Sequence, residues 1–289
     1  MKLILGTAQF GLGYGINNKN GKIRKDEAFR ILAKAFDSGI DTIDTAYSYG
    51  DSEVLIGRFM KTHKKRLNVI TKLPRCLPAE VKDMAATSRR RLKVESLYGC
   101  LIHNFEQYLE HSETWDILSN LRSSGIIQKI GFSIYRVSDL ERINKDGLKA
   151  DVVQLPFSVL DQRFSPHLSA FKARGIEVHA RSVFLQGLVF KRPEALEPYF
   201  KRARGKIEKL NSLAQESKMS IASICLGFAA NFKGIDKVVI GVDSMRHLDE
   251  AVEAAGRPSG FRDIPKRVSS LSIDDEEILL PFNWNKSTS

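Results

Sequence analysis

The sequence predicts an α/β chain folded as a single (β/α)8 barrel with a C-terminal extension. Three observations predict it: eight short apolar segments, amphipathic helical segments between them, and a glycine that repeatedly closes a helix just before a strand. The repeat is clearest at Ala28, Ile31, Leu32, Ala35 and Phe36, whose spacing gives a helix one apolar face. Gly39 then supplies a left-handed stop, and Thr42 and Ile43 open a strand. The same order returns at Trp115, Leu118 and Leu121 with Gly125 and residues 130–133. It returns again at Leu168 and Phe171 with Gly175 and residues 176–180.

Taken in order, strands are expected to begin near Leu3, Thr42, Asn68, Leu97, Lys129, Asp151, Ile176 and Asp236. The long interval before the last strand holds a basic loop after Gly187 and two helical segments, 207–217 and 220–230. No linker or composition break divides residues 1–289, so they read as one domain, with about 257–289 as the extension. Pro258, Pro265 and Pro281, followed by Phe282 and Trp284, suggest an extended tail laid over one end of the barrel.

Composition narrows the class. Hydrophobic residues at 43% and charged residues at 27% match an ordinary water-facing domain able to bury a core. The apolar run in residues 1–5 ends at Gly6, too short for a signal peptide, and no stretch reaches the length of a membrane span. Cys76, Cys100 and Cys225 lack metal-ligand spacing, which points to buried thiols, no metal and a cytoplasmic protein. The net charge of +11 is concentrated in the runs 61–66, 89–93 and 201–206. The first two read as solvated helix ends, and none is interleaved with aromatics as a nucleic-acid platform would be. No feature specifies an oligomer.

Four residues carry chemistry. In such a barrel, reactive side chains come from the C-terminal ends of strands. Asp44 ends the second strand, Lys72 the third and His103 the fourth, with Tyr49 in the loop after Asp44. A carbonyl oxygen that gains negative charge needs a proton donor whose acidity approaches the working pH, and a free phenol is too weak. An ammonium at Lys72 would favour the Tyr49 phenolate, while the Asp44 carboxylate offsets the cost of burying Lys72. His103 is suited to donate a hydrogen bond to the substrate oxygen. Tyr47 is a second phenol two residues earlier, with a poorer spacing from Asp44. His63, His111 and His167 read as surface or helix residues and His179 as barrel filling. The glycines of segment 11–15 are followed by no Gly-Lys-Ser and read as a flexible rim.

The chain resembles the aldo-keto reductases over essentially its whole length. The likeness rests on Gly6-Thr-Ala-Gln-Phe-Gly-Leu-Gly13, Asp44-Thr-Ala-Tyr-Ser-Tyr-Gly-Asp-Ser-Glu53, Thr71-Lys72, His103-Asn104, Gly131-Phe-Ser133, Gln154-Leu-Pro-Phe-Ser158, Leu185-Gln-Gly-Leu188 and Val239-Ile-Gly241. It implies a TIM barrel that reduces a small-molecule carbonyl substrate with NADPH or NADH and no metal. Tyr49 would be the acid, Lys72 and Asp44 its partners, and His103 the orienting group. Cofactor contacts are implied at Gly6, Thr7, Ala8, Ser133, Gln154, Arg181, Ser182, Gly187, Gly241, Ser244, Arg246 and Glu250. Two positions depart from the pattern: Ile134 stands where the family has Asn, and Arg181 where it stacks an aromatic on the nicotinamide. At the adenosine end Arg246 and His247 lie where a 2′-phosphate clamp would, so NADPH is expected over NADH, with NADH left open. The run 201–206 lies in a loop that closes over the pyrophosphate in some relatives. A nucleotide-holding regulatory barrel with little turnover, and an aldolase-like barrel using Lys72 as a Schiff base, remain as rival readings.

Overall fold

The computed structural model describes residues 2–16, 18, 21–256 and 263–287. Eight parallel strands close into a barrel: β1 (Leu3–Gly6), β2 (Thr42–Asp44), β3 (Asn68–Leu73), β4 (Leu97–Ile102), β5 (Ile127–Ser133), β6 (Val152–Pro156), β7 (Glu177–Arg181) and β8 (Lys237–Gly241). Each strand pairs with the next, and β8 returns to β1 through Leu3 to Val238 and Gly6 to Gly241. The expected starts fall on or beside these strands. The largest departure is β5, which begins at Ile127 because Ile127 already pairs with Leu97.

Strands in such a barrel are covered on both faces, which is why Leu3, Ile4 and Leu5 are all fully buried rather than alternating. Helices between strands bury the predicted stripe: Ala28, Ile31, Leu32 and Ala35 on Lys25–Asp37, and Trp115, Leu118 and Leu121 on Glu113–Ser123. Each such Leu or Ile contributes about 1.5–3 kcal/mol by leaving water. The approach of β5 to β6 requires Gly131, where a Cβ atom would stand 1.7 Å from the Val152 carbonyl oxygen. That contact sets the register that brings Ser133 beside Gln154.

Two expectations change. The tail is a series of short helical turns, Ile264–Val268, Ser269–Leu271, Glu276–Leu279 and Pro281–Ser287, rather than an extended segment. Ile264, Val268 and Leu271 recur at helical spacing and bury together, and Pro265 sits in a first turn, where it forfeits no hydrogen bond. Pro258 lies outside the described residues. The tail holds to the loops beyond β6 and β7: Ile273 N donates to Leu160 O at 2.8 Å, and the Trp284 ring meets Phe200 edge-on at 4.9 Å.

The basic runs also divide. Arg91 is no solvated helix end, since it donates to Glu53 at 3.2 Å and lies over the Tyr47 ring at 4.3 Å. In the run 201–206, Arg202 pairs with Asp275 at 2.7 Å and Lys206 donates to Ser270 O at 2.6 Å. That run is held by the tail, and none of it lines the cavity described next.

Candidate active site

A cavity of about 250 Å³ opens at the C-terminal ends of the strands. It is lined by Asp44, Tyr49 and His103 together with Gly6, Thr7, Ala8, Ser133, Gln154, Arg181, Ser182, Gly187 and Gly241. Lys72 lies behind Asp44 with its side chain 1% exposed and does not reach the cavity wall. Ser244, Arg246 and Glu250 stand just outside, on or capping the helix Met245–Ala255, whose His247 does line the cavity.

Local geometry explains why the segment from Asp44 to Glu53 carries so many small and polar residues. Thr7 donates from both N and Oγ1 to Asp44 O at 2.9 Å, which fastens the end of β2 to β1. Thr45 Oγ1 donates to Ser52 Oγ at 3.0 Å, and Ser52 Oγ to Thr7 Oγ1 at 2.8 Å, so a chain of buried hydroxyls ties the loop shut. Glu53 is fully buried and accepts from Thr71 Oγ1 at 2.7 Å, with Arg91 as its counter-ion. The rim after β1 is tightly packed rather than flexible at its first glycine. Gly11 lies in the turn Ala8–Gly11 against the backbone of Tyr49.

At the centre, Asp44 Oδ2 accepts from Lys72 Nζ at 2.7 Å and Oδ1 from Gln154 Nε2 at 2.8 Å. Lys72 Nζ also donates to Thr45 O at 2.9 Å and lies 5.4 Å from the centre of the Tyr49 ring. Tyr49 and His103 meet edge to face at 5.7 Å. Burial pulls the Lys72 pKa down, and the Asp44 charge and hydrogen bond oppose it. His103 is lowered to about 3, first by burial and then by the charges of Lys72 and Arg181. It is therefore a neutral imidazole near neutral pH, able to donate one hydrogen bond.

The expectation that Lys72 makes Tyr49 unusually acidic needs correction. Burial, followed by the Asp44 charge, places the Tyr49 pKa well above its ordinary value. The ammonium is directed to Asp44 and Thr45, so its field at the phenol is largely offset. A raised pKa keeps the proton on Tyr49 near neutral pH but makes it a weaker acid than a free phenol until negative charge develops beside it. Tyr47 is excluded as the donor because it lies under Arg91 and lines no part of the cavity. The sheltered position of Lys72 also removes the Schiff-base reading, since its amine does not face the cavity.

Phe282 and Trp284 do not line the cavity; Phe282 packs on Tyr135 at 5.2 Å. The walls come from the loops after β1 and β7, including Tyr14, Phe184, Gln186 and Phe190, and from Tyr135 after β5. Tyr14, Tyr135 and Asp243 escaped sequence reasoning. Tyr135 directly follows the Ile134 departure, and Asp243 precedes the helix cap Ser244; both signals were adjacent to residues already singled out.

The sequence profile of the Aldo/keto reductase family matches residues 2–259. This chain belongs to the aldo/keto reductase family. It is 26% identical over 266 residues to aldo-keto reductase str7 of Strobilurus tenacellus, covering 80% of this chain and 76% of that one. It is 24% identical over 197 residues to the NADH-specific methylglyoxal reductase of Escherichia coli, covering 59% and 60%. Among solved structures, aldo-keto reductase AKR11C1 from Bacillus halodurans in its holo form aligns with a TM-score of 0.77 at 18% identity, over 95% of this chain and 93% of that one.

As an aldo/keto reductase it is an oxidoreductase of a nicotinamide-dependent family, and the cavity suits such a group. It runs from Tyr49 and His103 to Asp243 and His247, past Gly6 and Gly241. Gly241 leaves room for Gln9, whose Nε2 would stand 2.8 Å from a Cβ there, and the buried Gln9 Oε1 has no hydrogen-bond partner. Among the described residues no cluster of His, Cys, Asp and Glu is placed to hold a metal ion, and no helix is long and apolar enough to cross a membrane.

At the end of the cavity where the resemblance implies a 2′-phosphate clamp, the side chains are paired with one another. Arg246 donates to Glu250 at 2.9 Å and to His247 Nε2 at 3.1 Å. His247 Nδ1 is in turn paired with Asp243. Arg246 and His247 thus each have a carboxylate partner.

Proposed function

We propose that the protein reduces an aldehyde or ketone to an alcohol with NADH or NADPH, Tyr49 giving the proton and Asp44, Lys72 and His103 preparing it. The juxtaposition of a protonated phenol and a neutral imidazole over one cavity, with a buried ion pair behind the phenol, carries this reading.

The nicotinamide, when bound, supplies hydride to the carbonyl carbon. Ser133 and Gln154 would hold its amide, with Ile134 contributing no hydrogen bond; the Gln154 amide is already oriented by Asp44. As negative charge grows on the substrate oxygen, His103 donates a hydrogen bond to it and Tyr49 Oη releases its proton to it. The Lys72 ammonium, close to the ring, becomes useful at that moment because a phenolate is forming. Asp44 keeps the ammonium charged and directed within an apolar shell. The pyrophosphate would lie near Ser182, Gly187 and the helix cap at Ser244, where backbone N–H groups favour anions.

The test is steady-state oxidation of each reduced nicotinamide by a panel of aldehydes and ketones, with wild type and Tyr49→Phe compared. The variant should bind nucleotide and lose roughly 10²–10⁴-fold in turnover; undiminished reduction would refute the assignment. The regulatory reading rests only on the Ile134 and Arg181 departures, and the same assay decides it.

A further inference from the structure

Arg181 is a charged residue of the cavity wall that the proposed chemistry leaves without a use, although the resemblance implies a cofactor contact there. Among the charged side chains lining the cavity, Asp44 is bonded to Lys72 and Asp243 to His247. Arg181 has no carboxylate within ion-pair distance among the described residues. Its Nη2 donates to Ile134 O at 2.9 Å, its Nη1 to Ser182 Oγ at 3.2 Å, and its Nε is buried without a partner. The guanidinium lies 3.9 Å above the Tyr135 ring, which fixes its plane but supplies no counter-charge. Its field reaches Tyr49, His103, Lys72 and Tyr14, so it stands at the chemical end of the cavity.

A guanidinium keeps its charge, so an anionic ligand entering the cavity would meet it without displacing a carboxylate. A nicotinamide ring is a poor candidate, because oxidation makes it a cation. We infer that Arg181 is the anion subsite of the substrate pocket, and that the preferred substrates are carbonyl compounds carrying a carboxylate. This rests on the reductase reading and deepens it. Tyr135 and Arg181 would act together, the ring holding the guanidinium in place while its free Nη hydrogens pair with the carboxylate oxygens.

Two matched pairs test it: 4-carboxybenzaldehyde against methyl 4-formylbenzoate, and glyoxylate against methyl glyoxylate, at saturating reduced nicotinamide. In wild type, kcat/KM for the acid should exceed that for the ester at least tenfold in one pair or both. In Arg181→Met that ratio should fall to about one, and Arg181→Lys should restore part of it, which a purely structural residue would not do. Comparing ratios between variants cancels the intrinsic reactivity difference within each pair. A wild-type ratio near one in both pairs would overturn the inference. So would a ratio that survives Arg181→Met while the nucleotide dissociation constant rises tenfold, since that assigns Arg181 to the pyrophosphate. A separate arm needs no turnover: calorimetric titration should find benzoate bound at least tenfold more tightly than benzamide, with the difference lost in Arg181→Met. Should no carbonyl be reduced at all, the reductase reading falls while this arm still decides the anion subsite.

Discussion

Gly11 lies so close to the backbone of Tyr49 that a Cβ atom on it would stand 1.8 Å from the Tyr49 carbonyl oxygen. The obstruction is backbone, so no side-chain rotation relieves it. Gly11→Ala should push the Tyr49 loop away from the first turn, at a cost of about 1–3 kcal/mol for overpacking. Thermal unfolding should show a midpoint lower by several degrees, and kcat should fall at least tenfold because the phenol is displaced. Full activity in a soluble Gly11→Ala protein would show that the loop position does not govern the reaction.

The Asp44–Lys72 pair allows a cycle of variants. Lys72→Met leaves a buried carboxylate with only Gln154 to meet it, and breaking such a pair costs about 3–5 kcal/mol. Asp44→Asn with Lys72→Met removes both charges, so the double variant should regain much of that stability in urea unfolding. Turnover should not return with it. If stability and turnover recover together, the pair is a folding element and has no part in the chemistry.

The barrel was legible because its signals are local: apolar runs covered on both faces, helical stripes such as Ala28 to Ala35, and glycines such as Gly39 and Gly125 in the left-handed conformation. That Asp44, Tyr49 and His103 would share one cavity was legible because strand ends converge on one face of a closed barrel. What the sequence could not show was how charge is shared once side chains meet. The Asp44–Lys72 pair was expected, but the Lys72 bond to Thr45 O and the pairing of Arg91 with Glu53 do not follow from position along the chain. The tail failed for a similar reason. Its prolines suggested extension, while burial of Ile264, Val268 and Leu271 where the tail meets the helices Arg204–Ser217 and Ile221–Asn231 decided for helical turns.

The low pKa of His103, about 3, has a defined consequence for acid stability. The unfolded chain takes up a proton on this ring below about 6.5, and the folded chain does not until much lower pH. Between those values the unfolded state binds more protons, so stability is present above pH 6.5 and is lost as pH falls. The ring is partly open to the cavity, which reduces the effect to about 1 kcal/mol at pH 5. His103→Gln should flatten the stability profile between pH 6.5 and 4 in urea titrations. In kinetics, kcat/KM for reduction should show no inflection near 6.5, because neither the neutral His103 nor the protonated Tyr49 titrates there. An inflection at that pH which disappears in His103→Gln would mean that the imidazole works in its charged form.

Asp243 sets the expectation for the choice between NADH and NADPH. At this end of the cavity Arg246 is matched by Glu250, and Asp243 adds a carboxylate paired with His247. A 2′-phosphate would enter beside two carboxylates and one guanidinium, whereas a 2′-hydroxyl could donate to Asp243, as acidic residues do at ribose sites in other nucleotide folds. On this balance the expected outcome is tighter binding of NADH than of NADPH, against the preference that Arg246 and His247 suggest when read alone. Asp243→Asn should raise affinity for NADPH relative to NADH about tenfold, a difference of about 1.4 kcal/mol. Asp243→Arg should raise it further, in proportion to the second unit of charge. Fluorescence titration with both nucleotides measures the ratio directly. A wild-type preference for NADPH that Asp243→Asn leaves untouched would place the 2′-position away from Asp243.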